Sequence, residues 1–228
     1  MERDDAPYLG RRLTRRHFLR AAAGGASGLL IPLSSFGADQ VHDLRGRVTI
    51  NNRPATTKSD ILPGDRVVTG SDGHFVFVMG GQDAIMLRSR SELVIERYDD
   101  SNGFLRLVTG ALGAVFGRGR ARRIVAANVT AGIRGTGIYL ETRGDGTYFC
   151  TCWGTVDLAS SEDPKDREVV TSTRHSPRLI VTRAEGGTRF RSAPFETHTD
   201  EEMDILQKCV GRRSPILVPG GDEPTGRQ

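Results

Sequence analysis

Two cysteines separated by one residue are the strongest candidates for chemistry in this chain of 228 residues: Cys150 and Cys152. Residues i and i+2 of a β-strand project from the same face of a sheet, so both sulfur atoms can reach one metal ion. Two histidines, His175 and His198, follow later in the chain. Thiolate and imidazole together suit zinc or copper. The four residues form a candidate metal site, although their spacing matches no familiar zinc module.

Two other roles stay open for these cysteines. Both side chains can pack inside a sheet without binding anything. Alternatively, one of them pairs with Cys209, the third cysteine, in an oxidising compartment. A bond between Cys150 and Cys152 is not expected, because Cα atoms two residues apart on a strand are separated by about 6–7 Å and the sulfurs are not aimed at each other.

No other group of residues has the pattern of a catalytic site. The sequence Gly117-Arg118-Gly119-Arg120 lacks the strand and helix that flank a phosphate-binding loop, and no Ser, His and Asp arrangement stands out. We therefore predict that the protein is not an enzyme and has no cofactor, unless the cysteines bind zinc or copper.

The elements that must position the candidate site are β-strands. In residues 66–96, three runs of alternating apolar and polar residues are separated by short turn sequences rich in Gly, Ser and Asp. Such short strands and the 28 glycines favour an all-β fold. The predicted centre of its core consists of Phe75, Phe77, Leu87, Leu93 and Ile95.

Two local signals define further elements. The sequence Gly144-Asp145-Gly146 predicts a tight hairpin that pairs residues 139–142 with residues 148–152 in antiparallel fashion. Near the end of the chain, Thr199 and Glu202 have the spacing of a capping box, which predicts one short helix over about residues 200–210, ending at Gly211.

The order of motifs between residues 45 and 158 resembles the FecR family. The resemblance is carried by Gly64-Asp65-Arg66-Val67-Val68-Thr69, a glycine hairpin, a strand ending in Ser91-Glu92-Leu93-Val94-Ile95, and Arg134-Gly135-Thr136-Gly137-Ile138-Tyr139. It implies a solenoid- or sandwich-like stack of short, mostly antiparallel strands. It also implies a sensing or binding role in envelope signalling, without enzymatic activity. Another envelope protein or a glycan is the implied partner.

The N-terminal residues predict export. Arg15 and Arg16, followed by Phe18 and Leu19, resemble a twin-arginine signal, and an uncharged, weakly apolar stretch comes next. We expect a periplasmic protein, with an inner-membrane anchor if the signal is retained and no other membrane contact. The segment before the signal is too short for a cytoplasmic sigma-factor-binding domain.

The charge distribution argues against nucleic acid as a partner. The net charge is +4, but six basic and only three acidic residues precede residue 39. The remaining 26 basic and 25 acidic residues nearly cancel, so the net charge gives no electrostatic basis for nucleic-acid binding, which needs a clustered basic face. The basic run over residues 118–123 is expected to be a solvated loop or hairpin, with contact to an anion or partner as the alternative.

These signals divide the chain into four parts. We predict an export signal over residues 1–38, a FecR-like β domain over residues 44–159, a small C-terminal extension with the helix over residues 160–213, and a flexible tail over residues 214–228. As an alternative to the binding module, the protein is a periplasmic metal-binding or redox protein that uses the cysteines and histidines.

Overall fold

The alternating runs become β-strands in the computed structural model, which describes residues 40–217. The helix is α1 (Asp200–Cys209), and the strands are β1 (Gln40–Arg45), β2 (Val48–Ile50), β3 (Arg53–Pro54), β4 (Arg66–Thr69), β5 (His74–Met79), β6 (Asp83–Leu87), β7 (Glu92–Tyr98), β8 (Asn102–Thr109), β9 (Ala111–Val115), β10 (Ala121–Ala126), β11 (Val129–Arg143), β12 (Gly146–Ser160), β13 (Arg167–Ser172), β14 (Ser176–Glu185) and β15 (Thr188–Ser192). The predicted all-β class with one short C-terminal helix is confirmed.

All of these strands belong to one sheet. The order along its main path is β1-β5-β6-β9-β11-β10-β8-β7-β4-β2-β3, and β12 joins β11 to β13 and β14, with β15 beyond β14. The pairs are antiparallel except for β8 with β10, which run parallel. Residues from strands at opposite ends of this order, such as Val48 and Phe190, share one large core. The sheet must therefore curl around that core.

The central strands are covered on both faces. Phe75 and Phe77 of β5 belong to the large core, where their ring centroids are 5.2 Å apart. Val76 and Val78, which alternate with them, face a second and smaller core together with Met203 and other residues of the C-terminal region. The predicted central residues are all fully buried, which confirms the strand register: Phe75, Phe77, Leu87, Leu93 and Ile95.

The longest hairpin in the described chain joins β11 to β12. Arg143 lies opposite Gly146, so the loop consists of Gly144 and Asp145 and Gly146 already belongs to β12. The predicted antiparallel hairpin is confirmed, with residues 139–142 paired to residues 147–150. Tyr139 lies opposite Cys150, which fixes the candidate cysteines in the antiparallel ladder.

Helix α1 begins with the predicted capping box. The Thr199 side chain accepts a hydrogen bond from the Glu202 N–H, and the Glu202 carboxylate accepts one from the Thr199 N–H at 2.9 Å. The helix buries Met203 and Leu206 in the second core. Gly211, with φ +68°, follows the last turn in the left-handed conformation.

The basic run over residues 118–123 is not wholly solvated, which corrects the expectation for one of its arginines. Arg122 is buried, and its Nε donates to the buried carboxylate of Asp83 at 2.5 Å. The Tyr98 hydroxyl donates to the same carboxylate, and its ring lies under the guanidinium at 4.5 Å. Residue 122 points inward because it alternates with its exposed neighbours Ala121 and Arg123 on strand β10.

Several predictions fall near or beyond the limits of the described residues. Arg15, Arg16, Phe18 and Leu19 lie outside them, so the export signal stays a prediction. The division at residue 160 also stays a prediction; residues 167–192 add β13, β14 and β15 to the same sheet. Among the described residues, no helix is long and apolar enough to cross a membrane.

Candidate metal centre

Strand β12 places the two cysteines on one face of the sheet. Cys150 and Cys152 are both fully buried and belong to the second core, next to Tyr139 and Tyr148. Thr151 between them is also buried and points to the opposite face. The expectation of a shared face is therefore confirmed, and it directs both thiols toward the C-terminal segment.

His175 lies in the turn between β13 and β14. Its backbone N–H donates to the carbonyl oxygen of Cys152 at 2.9 Å, which holds the turn over the cysteine strand. Its ring nitrogen Nδ1 then lies 3.6 Å from the Cys150 sulfur. The side chain retains only 6% of its exposure, because the Phe195 ring stacks on it with a centroid distance of 3.9 Å.

His198 lies immediately before the N-cap of helix α1. Its Nε2 is 3.4 Å from the Cys152 sulfur. The imidazole stacks on the Tyr139 ring, with centroids 4.4 Å apart and an angle of 8° between the planes. Since the capping box fixes the start of the helix, it also fixes the position of this histidine.

The structure brings all four predicted ligands together. The Sγ atoms of Cys150 and Cys152 and one ring nitrogen each of His175 and His198 lie within 4.8 Å of one another. In a tetrahedral zinc site with Zn–S of about 2.3 Å and Zn–N of about 2.0–2.1 Å, a sulfur and a nitrogen are separated by about 3.5 Å. The two measured sulfur–nitrogen distances, 3.6 and 3.4 Å, agree with that edge length.

The other nitrogen of each imidazole has a partner that orients the ring. Nε2 of His175 lies 2.6 Å from Oδ1 of Asp200, whose Oδ2 accepts from Arg174 at 2.5 Å. Nδ1 of His198 lies 3.0 Å from the carbonyl oxygen of Glu196. Ring N–H groups that donate to a carboxylate or a backbone carbonyl are usual for histidines that bind metals.

The site lowers the pKa of one thiol and raises that of the other. The hydrogen bond with Cys152, with further contributions from His175 and His198, lowers the pKa of Cys150 from 9.0 to about 4 despite its burial. Burial, together with the negative charge of Cys150, raises the pKa of Cys152 well above 9.0. The site therefore favours one thiolate before any cation arrives, and a thiolate is the form of cysteine that binds metals.

The pKa of His175 is also raised. Burial alone lowers it, but the hydrogen bonds to Cys150 and Asp200 outweigh burial. The site therefore stabilises positive charge beside the Cys150 thiolate.

Two residues of the site have left-handed backbone conformations. His175 has φ +46°, and Thr197, next to His198, has φ +69°. Residues other than glycine adopt this region at a cost of about 1–3 kcal/mol, and such strain concentrates at functional sites. Here it occurs in the two segments that bring the histidines to the cysteines.

The disulfide alternative is not present. All three cysteines are free, and Cys209 lies partly buried on helix α1 against the second core. The packing alternative holds in part, because Cys150 and Cys152 are members of that core.

The residues that orient the rings cannot be identified from the sequence. Asp200 is recognisable only as a helix-starting residue, and nothing distinguishes it from Glu201 as a partner for His175. Glu196 acts through its backbone carbonyl, which leaves no sign in the side-chain sequence.

Comparison with known proteins adds little to this geometry. No family model matches the chain, and no curated protein matches it. Two crystal structures, each of a candidate anti-sigma factor from Parabacteroides distasonis ATCC 8503, match with TM-scores of 0.47 and 0.46 at 8% sequence identity. Each alignment covers 62% of this chain and 64% of that chain, so it spans less than two thirds of the matched protein.

Proposed function

We propose that this protein binds one zinc ion through Cys150, Cys152, His175 and His198. The observation that carries the proposal is the convergence of four ligand atoms within 4.8 Å, from three separate segments of the chain. A set of two thiolates and two imidazoles is one of the common ligand sets of structural zinc. The orienting contacts from Asp200 and from the Glu196 carbonyl support the same conclusion.

Zinc fits this donor set better than copper. Mononuclear electron-transfer copper sites use one cysteine and two histidines in a trigonal arrangement, with a weak axial methionine. This cluster has two cysteines and two histidines, so its donor set differs from that of such a copper site. A redox role, the alternative that the sequence left open, has less support.

The metal is proposed to be structural. Four protein ligands complete a tetrahedral zinc shell, whereas catalytic zinc sites keep one position for water or substrate. The cysteines are fully buried and His198 is only 4% exposed, so a substrate would have no direct path to the ion. We therefore infer a protein without enzymatic activity.

We also propose that the β domain as a whole acts as a binding module of the FecR type. It is supported by the ordered sequence motifs and by the all-β fold. The zinc ion would join the sheet at β12 to the segment around His198. The partner would be an envelope protein or a glycan, in the periplasm.

Metal analysis of the purified full-length protein tests the zinc centre. We expect close to one zinc per chain by elemental analysis and native mass spectrometry, and loss of most of it in Cys152→Ser and His198→Gln. The matched control is Cys209→Ser, which removes the cysteine outside the cluster and should keep its zinc. A wild-type protein that purifies without metal and does not take up added zinc would refute the proposal.

Export is tested separately. Replacing Arg15 and Arg16 with lysine keeps the charge but removes the guanidinium pair that the export receptor reads. We expect the double variant to accumulate in the cytoplasm, while Arg11→Lys with Arg12→Lys should be exported normally. Periplasmic recovery of the first variant at the wild-type level would contradict the twin-arginine route.

A further inference from the structure

A shallow groove of about 720 Å³ crosses strands β7, β8, β10 and β11 and the second half of β12. We call it the arginine groove, and its defining residues are Arg97, Phe104, Arg123, Arg134, Asn102 and Thr155. It lies on a part of the sheet that the metal ligands do not use.

The register of the sheet assembles this groove. Arg97 lies opposite Phe104, and Phe104 lies opposite Arg123. Arg123 in turn faces Gly132, whose missing side chain leaves the floor open. With neighbouring strands about 4.8 Å apart, Arg97 and Arg123 are separated by roughly 10 Å along this row, and Arg134 is a diagonal neighbour of Arg123.

Four arginines line the groove, and one of them, Arg122, is paired with Asp83. The other three differ from most arginines of the same sheet. Arg66, Arg106 and Arg178 each form an ion pair with a glutamate on the adjacent strand. Within the described residues, by contrast, Arg97, Arg123 and Arg134 have neither an ion pair nor a hydrogen bond from the guanidinium, and all three are exposed.

Two carboxylates near the groove do not neutralise it. Asp157 borders the groove, but it already forms an ion pair with Arg167. Asp99 keeps its negative charge, but its hydrogen bonds go to the backbone of Ser101 and Asn102 and not to Arg97. Three arginines against this one unpaired carboxylate leave an excess of positive charge in the groove.

We propose that the arginine groove binds an acidic glycan. Guanidinium groups form bidentate hydrogen bonds with carboxylate or sulfate groups, and their spacing suits a chain of repeating acidic sugars. Asn102 and Thr155 can exchange hydrogen bonds with sugar hydroxyls. The Arg106 guanidinium lies over the half-buried Phe104 ring, 5.7 Å from its centroid, so the rest of the ring is the apolar surface open to the C–H face of a sugar. The proposal rests on the binding-module role and not on the zinc centre.

Nucleic acid fits the groove less well. The basic and acidic residues beyond the N-terminal segment nearly cancel, whereas nucleic-acid-binding domains carry extended basic faces. Only one aromatic ring lies in the groove, while binding of single strands relies on several stacking platforms.

Gly132 provides a variant that blocks the groove and leaves the fold intact. A Cβ atom at this position meets only Asp157, at 3.8 Å, so the backbone tolerates a side chain. The residue is exposed on strand β11, where a β-branched residue is favourable. Gly132→Val would therefore fill the floor without removing a charge.

The experiment measures binding of an oligogalacturonate to the full-length protein by calorimetry at low salt. We expect at least a tenfold loss of affinity in Gly132→Val and in Arg123→Ser with Arg134→Ser. Arg53→Ser, which removes an exposed arginine outside the groove, should bind as the wild type does. Affinity should also fall as salt is added, because exposed charges are screened.

Three outcomes would overturn the proposal. They are no binding by the wild type, equal binding by the groove variants and the wild type, and tighter binding of single-stranded DNA than of oligogalacturonate. Thermal melts and zinc content are measured on every variant, so that loss of the fold or of the metal centre is separated from loss of the groove.

Discussion

At the residue scale, the two thiols of the metal centre hold their protons very differently. Since the pKa of Cys150 is lowered to about 4, that residue is a thiolate at neutral pH, whereas the raised pKa of Cys152 keeps its proton in place. A metal that binds both sulfur atoms must displace the proton of Cys152. Zinc binding should therefore release protons, from Cys152 and from the fraction of His175 that its raised pKa keeps protonated, and should weaken as the pH falls.

Calorimetry in buffers of different ionisation enthalpy measures this proton release. The apparent affinity for zinc should rise with pH through the neutral range, and zinc should be lost in acid, because protons compete with the metal for its ligands. If the variant Cys152→Ser still binds zinc weakly, it should release fewer protons per zinc ion than the wild type does. Affinity that stays constant between pH 5 and pH 8 would contradict the ligand assignment.

At the scale of single elements, strand β5 carries the most heavily buried stretch of the sheet. Phe77 is fully buried and packs against Phe75. Phe77→Ala removes a ring and leaves a cavity, so the free energy of unfolding should fall by about 3–5 kcal/mol. Urea denaturation measures the change. Val169→Ala, at a residue that is 66% exposed, is the control and should change stability by less than about 0.5 kcal/mol.

Elements whose signals are local could be predicted from the sequence. The β11–β12 hairpin follows from two turn residues between alternating runs, and the capping box of α1 follows from Thr199 and Glu202 three positions apart. In both cases the interacting groups are close in sequence. The alternation of apolar residues likewise predicted which side of β5 enters the large core.

Contacts between distant residues could not be predicted in the same way. Asp83 and Arg122 are 39 positions apart, and their ion pair depends on β6 and β10 reaching the same end of the curled sheet. The parallel pairing of β8 with β10 also leaves no local sign. For the candidate site, the residue types indicated four ligands, but only the fold brings His175 and His198 to the cysteine strand.

At the scale of the whole molecule, the C-terminal segment covers a face of the sheet that would otherwise be exposed. Helix α1 has ten residues, a length at which an isolated helix is marginal in water. Met203 and Leu206 pack on the second core, and Glu202 pairs with Arg88 at 2.6 Å. The zinc ion would add a link through His198, directly before the helix.

Removal of the metal should therefore loosen this segment before it affects the rest of the sheet. A site at which free zinc exceeds its dissociation constant a thousandfold contributes about 4 kcal/mol. Without that contribution, the amides of α1 should exchange faster with deuterium after treatment with a chelator, while those of β5, β6 and β9 stay protected. Hydrogen exchange followed by mass spectrometry measures both regions in one sample.

The variant Cys209→Ser serves as the control, because it alters the same helix without removing a metal ligand. While zinc is bound, the α1 amides of this variant should exchange with deuterium at the wild-type rate. Trp153, the one tryptophan of the chain, follows Cys152 directly and gives a second readout through its fluorescence. Equal loss of protection in the helix and the central strands would mean that the metal supports the whole fold. Unchanged exchange in both regions, with zinc demonstrably removed, would mean that the second core alone holds the segment in place.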